Sequence, residues 1–177
     1  MRLFIAINFN DGTRSRLLDL RDELRSISER GNFSLPENLH LTLAFIGEVA
    51  PKDEDKIEAI LETVAFEPFE ATIDRIGAFS HGTLWYAGLK ENKPLIVLQR
   101  EITHKLALCG FEMDGRKYLP HVTLGREVAT AAVPWKIEPF GEKVTAIELM
   151  KSERIGGKLT YTAIYTKKSE TMARCSV

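Results

Sequence analysis

The 177-residue chain is predicted to be an α+β protein of two similar lobes. Each lobe is expected to be an antiparallel or mixed sheet covered by helices, with a cleft between the two. Three observations lead there. Short alternating apolar runs are interspersed with longer amphipathic stretches. Two of those stretches end in glycine, at Gly31 and Gly110. About ten residues after each comes a strand-like run opening His-x-Thr-Leu, so helix, stop, loop and strand recur as a unit. The length suits one domain, placed at residues 1–166, with a polar tail at 167–177.

Met1 to Phe9 alternates and reads as a strand, broken by Asn10-Asp11-Gly12, with Asp11 or Thr13 available to cap the first helix. Leu17, Leu20, Leu24 and Ile27 recur at helical spacing up to Arg30, and Gly31 supplies the stop. Leu39 to Ile46 is a second strand, after which Pro51 opens an acidic helix with Ile57, Ile60, Leu61 and Val64 on one stripe. Ala71–Ile76 and Leu84–Leu89 alternate around Ser80-His81-Gly82, the pattern of a hairpin. Asn92 and Pro94 introduce a helix carrying Leu95, Leu98, Ile102, Leu106 and Cys109, closed by Gly110. His121 to Arg126 is the matching strand, and residues 144–150 and 158–166 form a hairpin around Gly156-Gly157.

Composition narrows the function. Hydrophobic residues are 44% and charged residues 28%, an ordinary globular balance. A net charge of −1 excludes gripping long nucleic acid, or a membrane surface, by bulk positive charge. The apolar run Leu3–Ile7 is too short for a signal core or a bilayer span. Cys109 and Cys175 form no CxxC or zinc-ligand spacing and suit a reducing cytosol, so a cytoplasmic location without metal or cofactor is expected. The charge is uneven: residues 48–70 hold eight acidic and two basic side chains, whereas residues 143–168 hold six basic and two acidic.

Of four histidines, three begin His-x-Thr-Leu: His40, His81 and His121. With 13 threonines in 177 residues, that coincidence is expected for about one His in fourteen. In a strand, residues i and i+2 share a face roughly 6.6 Å apart. His40 with Thr42, and His121 with Thr123, therefore each present an imidazole beside a hydroxyl, backed by core residues. Two such units across a cleft suit metal-free phosphoester chemistry, one imidazole taking a proton and the other giving one. His81 sits in a turn with no helix and glycine stop ahead of it, which argues against a third repeat. His104 lies roughly 200° round its helix from Ile102, on the solvent side.

With those motifs in hand, the chain resembles the two-histidine phosphoesterase superfamily, and within it the RNA 2′,3′-cyclic phosphodiesterases formerly named 2′-5′ RNA ligases. The residues that carry the resemblance are Met1-Arg2-Leu3-Phe4-Ile5-Ala6-Ile7, Pro36 to Leu43 with Phe45 and Gly47, and Pro120 to Arg126. Gly77-Ala78-Phe79, Leu84-Trp85 and Ser152 to Tyr161 add to it. The resemblance implies hydrolysis of a terminal RNA 2′,3′-cyclic phosphate to a 2′-phosphate, without metal, with reversible 2′-5′ joining as a related activity; a monomer is expected. It implies His40 and His121 as the catalytic pair, His40 protonating the departing 3′-oxygen and His121 activating water. Thr42 and Thr123 would orient the phosphate and Arg126 would bind it. Strand alternation puts Arg126 on the face of Leu124, so that role requires a bend near Gly125. Phe33, where relatives often carry Trp, and Phe79 are candidates for stacking on a base or for core packing. The alternatives are a phosphodiesterase for another cyclic nucleotide or an ADP-ribose cyclic phosphate, and a non-catalytic module that binds RNA ends or nucleotides.

Overall fold

The first strand, β1 (Arg2–Asn8), is apolar on both faces, with Leu3, Ile5 and Ala6 wholly buried, and can only be interior. In the structure, a computed structural model that describes residues 1–79 and 82–170, it lies between β3 (His40–Glu48) and β8 (Ala146–Ile155), antiparallel to both. The other elements are α1 (Asp11–Ser26), β2 (Ser28–Phe33), α2 (Glu54–Glu62), β4 (Phe69–Phe79), β5 (Leu84–Leu89), α3 (Lys93–Leu108), β6 (His121–Thr130), β7 (Trp135–Val144) and β9 (Lys158–Lys168). The nine strands follow the order β7-β4-β5-β6-β3-β1-β8-β9, with β2 added to β6. The α+β class with antiparallel pairing and helix-covered lobes is as expected. β3 and β6 are joined through one residue pair, Leu41 with Val122, and the cleft opens beside this junction.

The lobes are not the two sequence halves, because elements are exchanged between them. α1, from the first half, packs on β2, β6 and β7, whereas α3, from the second, packs on β3 and α2. The last two strands extend the sheet of the first half through β8 and β1.

Several boundaries differ from the sequence expectation. Asn10 caps α1, its Oδ1 accepting the Thr13 N–H at 2.9 Å, in place of Asp11 or Thr13. α1 ends at Ser26, and Gly31 is not its stop; residues 28–33 form β2, with Gly31 packed against Phe33 and Val128. Gly110 does close α3, at φ +91°. The acidic helix begins with a 3-10 turn at Pro51–Asp53 before α2, whose Ile57, Ile60 and Leu61 are buried. β9 continues to Lys168, past the expected limit at Thr166, because Lys167 and Lys168 still pair with Ile147 and Ala146 of β8; Lys167 also donates to Glu62 O, at the C-terminal end of α2, at 3.1 Å and to Glu170 Oε1 at 3.0 Å. His104 is exposed, as expected, and Cys109 is half-buried at the end of α3. His81 and Cys175 lie outside the described residues. Among the described residues, no helix is long and apolar enough to cross a membrane.

Candidate active site

Both His-x-Thr-Leu units are strands with the expected alternation. Leu41, Leu43, Val122 and Leu124 are buried at 0–2% exposure, and the His and Thr side chains face the cleft. Each imidazole is fixed the same way. His40 Nδ1 lies 2.8 Å from Asn38 O, and His121 Nδ1 lies 2.7 Å from Leu119 O, a carbonyl two residues upstream in both cases. A carbonyl only accepts, so Nδ1 carries the proton in each ring, and the neutral ring keeps its lone pair on Nε2. His40 Nε2 is 3.0 Å from the Thr42 hydroxyl. Aromatic rings brace both imidazoles: Phe4 and Tyr161 stand 4.9 and 5.3 Å from His40, and Phe79 and Tyr86 stand 5.1 and 5.5 Å from His121.

The bend that Arg126 requires is present. Opposite β5, Trp85 pairs with Gly125 and Tyr86 with Thr123, leaving Leu124 as the extra residue of a β-bulge. The phase of alternation shifts by one, and Arg126 joins His121 and Thr123 in lining the cleft. The same device occurs in the first unit. Opposite β1, Ile5 pairs with Ala44 and Ala6 with Thr42, so Leu43 is the extra residue. Phe45, five residues past His40 as Arg126 is five past His121, then also lines the cleft, 47% exposed. Glu127 follows Arg126 at φ +53°, a left-handed position uncommon for a residue with a side chain. Its carboxylate accepts from Asn32 Nδ2 at 2.5 Å.

Hydroxyl groups tie each motif strand to the segment preceding the other. Ser34, just before the first motif, donates its N–H to Leu124 O at 2.9 Å and its hydroxyl to Thr123 O at 2.7 Å. Tyr118, just before the second, donates its hydroxyl to Thr42 O at 2.9 Å. Burial pushes that phenol upward, so it remains a donor at every ordinary pH.

The resulting cleft has a volume of about 590 Å³ and contains His40, Thr42, His121, Thr123 and Arg126 together. Arg2, Phe33, Asn38, Ser152 and Tyr161 complete much of its wall, and no carboxylate is among the described residues lining it. In a chain with 25 acidic residues, such a cleft is suited to an anion. The family description of the 2′-5′ RNA ligase superfamily matches residues 14–156. The chain belongs to this superfamily. An RNA 2′,3′-cyclic phosphodiesterase of Archaeoglobus fulgidus is 36% identical over 152 residues, 80% of this chain and 85% of the relative. The Escherichia coli protein of the same name is 28% identical over 165 residues, 92% and 93% of the two chains. Among solved structures, E. coli LigT complexed with 3′-AMP matches with a TM-score of 0.85 at 26% identity, covering 96% and 98% of the chains. TT0787 of Thermus thermophilus matches at 0.81, again at 26% identity, covering 95% and 97%.

In this superfamily member, the five residues singled out from sequence line one cleft. The two aromatic candidates part company: Phe33 is on the cleft wall, whereas Phe79 stacks on Tyr86 at 4.2 Å beside His121. Sequence reasoning passed over Arg2, Tyr161 and Phe45 as site residues. The equal offset of Phe45 and Arg126 from their histidines was the available signal for Phe45.

The electrostatics make a pH prediction. Burial pushes His40 down to about 4, and the charges of His121 and Arg126 act in the same direction, against the carbonyl of Asn38. His121 is lowered by burial and by Arg126, against the carbonyl of Leu119. An acid–base pair needs one proton shared between two imidazoles, and kcat/KM reports the free enzyme. Both values lie below 6.5, so kcat/KM is expected to peak below pH 6.5 and to fall through neutrality. A bound phosphate anion favours imidazolium, so the kcat profile should lie at higher pH. Rate profiles across the acidic and neutral range check this; a kcat/KM maximum above about pH 7 contradicts it.

Proposed function

We propose that the chain is an RNA 2′,3′-cyclic phosphodiesterase, opening the cyclic phosphate at an RNA 3′ end to leave a 2′-phosphate and a free 3′-hydroxyl. The observation that carries this is the pair of imidazoles, each with Nδ1 held by a carbonyl, lining one carboxylate-free cleft together with a guanidinium. Water attacks phosphorus opposite the 3′-oxygen; the water O–P bond forms as the P–O3′ bond breaks. His121 takes the proton from water and His40 gives one to the 3′-oxygen. Burial lowers both imidazoles, and the substrate's negative charge favours loading one of them with the proton that the 3′-oxygen receives. Thr42 and Thr123 orient the non-bridging oxygens, and Arg126 stabilises the charge that develops on them. Phe45 offers an exposed aromatic face for the terminal base, a contact worth about 1–3 kcal/mol in single-strand binding.

The test is incubation of an oligonucleotide ending in a 2′,3′-cyclic phosphate in excess EDTA. Full conversion to the 2′-phosphate is expected. A 3′-phosphate product, or turnover abolished by the chelator, overturns the proposal.

A further inference from the structure

Arg2 is the second guanidinium of the cleft, and the chemistry at the histidines leaves it without a task. It stands two residues before Phe4 on β1, so the two side chains share a face with Cα atoms roughly 6.6 Å apart. Phe4 in turn lies against His40 at 4.9 Å. The Arg2 guanidinium is 4.9 Å from the centre of the Phe45 ring. Its charge, like that of Arg126, is felt at the Tyr161 hydroxyl, where both oppose the effect of burial. Glu48, its register partner on β3, is directed to the N-terminal ammonium at 3.6 Å. Ser152, its register partner on β8, lines the cleft beside it. None of the ion pairs among the described residues includes Arg2.

A cyclic phosphate carries one negative charge, and Arg126 with an imidazolium already answers it. A second guanidinium along a wall free of carboxylates calls for a second anion. In a terminal nucleotide, the next negative charge along the chain is the phosphodiester on its 5′ side. Arg2 and Ser152 stand opposite one another on β1 and β8 and together form one wall of the cleft that holds the histidines and Phe45. We propose that Arg2, with the Ser152 hydroxyl, anchors the phosphodiester one step upstream of the cyclic end. The cleft then selects oligonucleotide termini over free cyclic nucleotides. The inference rests on the phosphodiesterase reading above and adds the site that separates polymer from monomer.

The experiment compares kcat/KM for a 2′,3′-cyclic mononucleotide, a cyclic-ended dinucleotide, and the same dinucleotide with an uncharged methylphosphonate linkage. Arg2→Gln is expected to cost the charged dinucleotide about tenfold more than the mononucleotide, the least that loss of a charged hydrogen bond would give. The neutral linkage should cost the unaltered enzyme a similar factor and cost Arg2→Gln nothing further. The dependence of log kcat/KM on log salt for the charged dinucleotide should flatten by about 0.7 in the variant, the counterion share of one single-strand phosphate. Equal losses on monomer and dimer overturn the anchor, as does an undiminished preference for the charged linkage in Arg2→Gln. Equal losses are also what an arginine that merely backs the Phe45 ring would give. Absence of turnover of either natural substrate by the unaltered enzyme overturns the phosphodiesterase reading itself, and the anchor with it.

Discussion

His121→Ala is expected to lower kcat on a cyclic-ended oligonucleotide by about 10²- to 10⁴-fold, and His40→Ala by a similar factor, while the protein stays folded. Both imidazoles stand on the cleft wall and not in the core, so thermal unfolding should change little. The strands that carry them are held by Leu41, Leu43, Val122 and Leu124, which neither substitution touches. The double variant should be scarcely slower than either single one, because removing one proton carrier already disables the transfer that the other completes. Steady-state kinetics on the three variants decide it. A fully active His121→Ala would show that the second motif carries no chemistry.

Arg126→Ala is expected to lower kcat by about 10²- to 10³-fold, the usual cost of deleting one well-placed donor to a developing oxyanion. Arg126→Lys should recover only part of this, since an ammonium lacks the planar fork that can hold two phosphate oxygens. A second readout separates this role from a structural one. The Arg126 charge is among the causes that lower both His40 and His121. Removing it should move the kcat/KM profile to higher pH, with the sign set by easier protonation of both rings. An unshifted profile with lost activity would point to a collapsed bulge and away from a lost charge.

How much of this was legible in the sequence depends on how local the cause is. The His-x-Thr-Leu units were legible because alternation acts over two residues, and each strand needs its leucines and valine inward. The placement of Arg126 was legible only as a conflict between alternation and resemblance. It took the pairing with β5 to expose Leu124 as the extra residue. β2 was read as the end of a helix and its stop, because Ser28 to Phe33 is polar and contains a glycine. It is a strand only by virtue of its partner β6, far along the chain. β7 had no clear strand signal either, since its alternation is diluted by charges, Pro139 and Gly141. It lies at the edge of the sheet, where such residues are tolerated. The exchange of helices between lobes left no trace in local pattern, since an apolar stripe does not name the surface it will cover.

The central position of β1 bears on how the protein is made. β1 and β3 are complete once residue 48 has been synthesised, but β8, which pairs the other edge of β1, ends at Ile155, roughly 100 residues later. At about 5–20 residues per second, a ribosome needs on the order of 5–20 s to cover that distance. Through that interval the run Leu3-Phe4-Ile5-Ala6-Ile7 has an unpaired edge, with high β-propensity and no charge to interrupt it. The nascent chain therefore passes through a period of vulnerability to aggregation that the finished enzyme does not share. That interval, and not the stability of the native state, is where a chaperone would have the most to contribute to its yield.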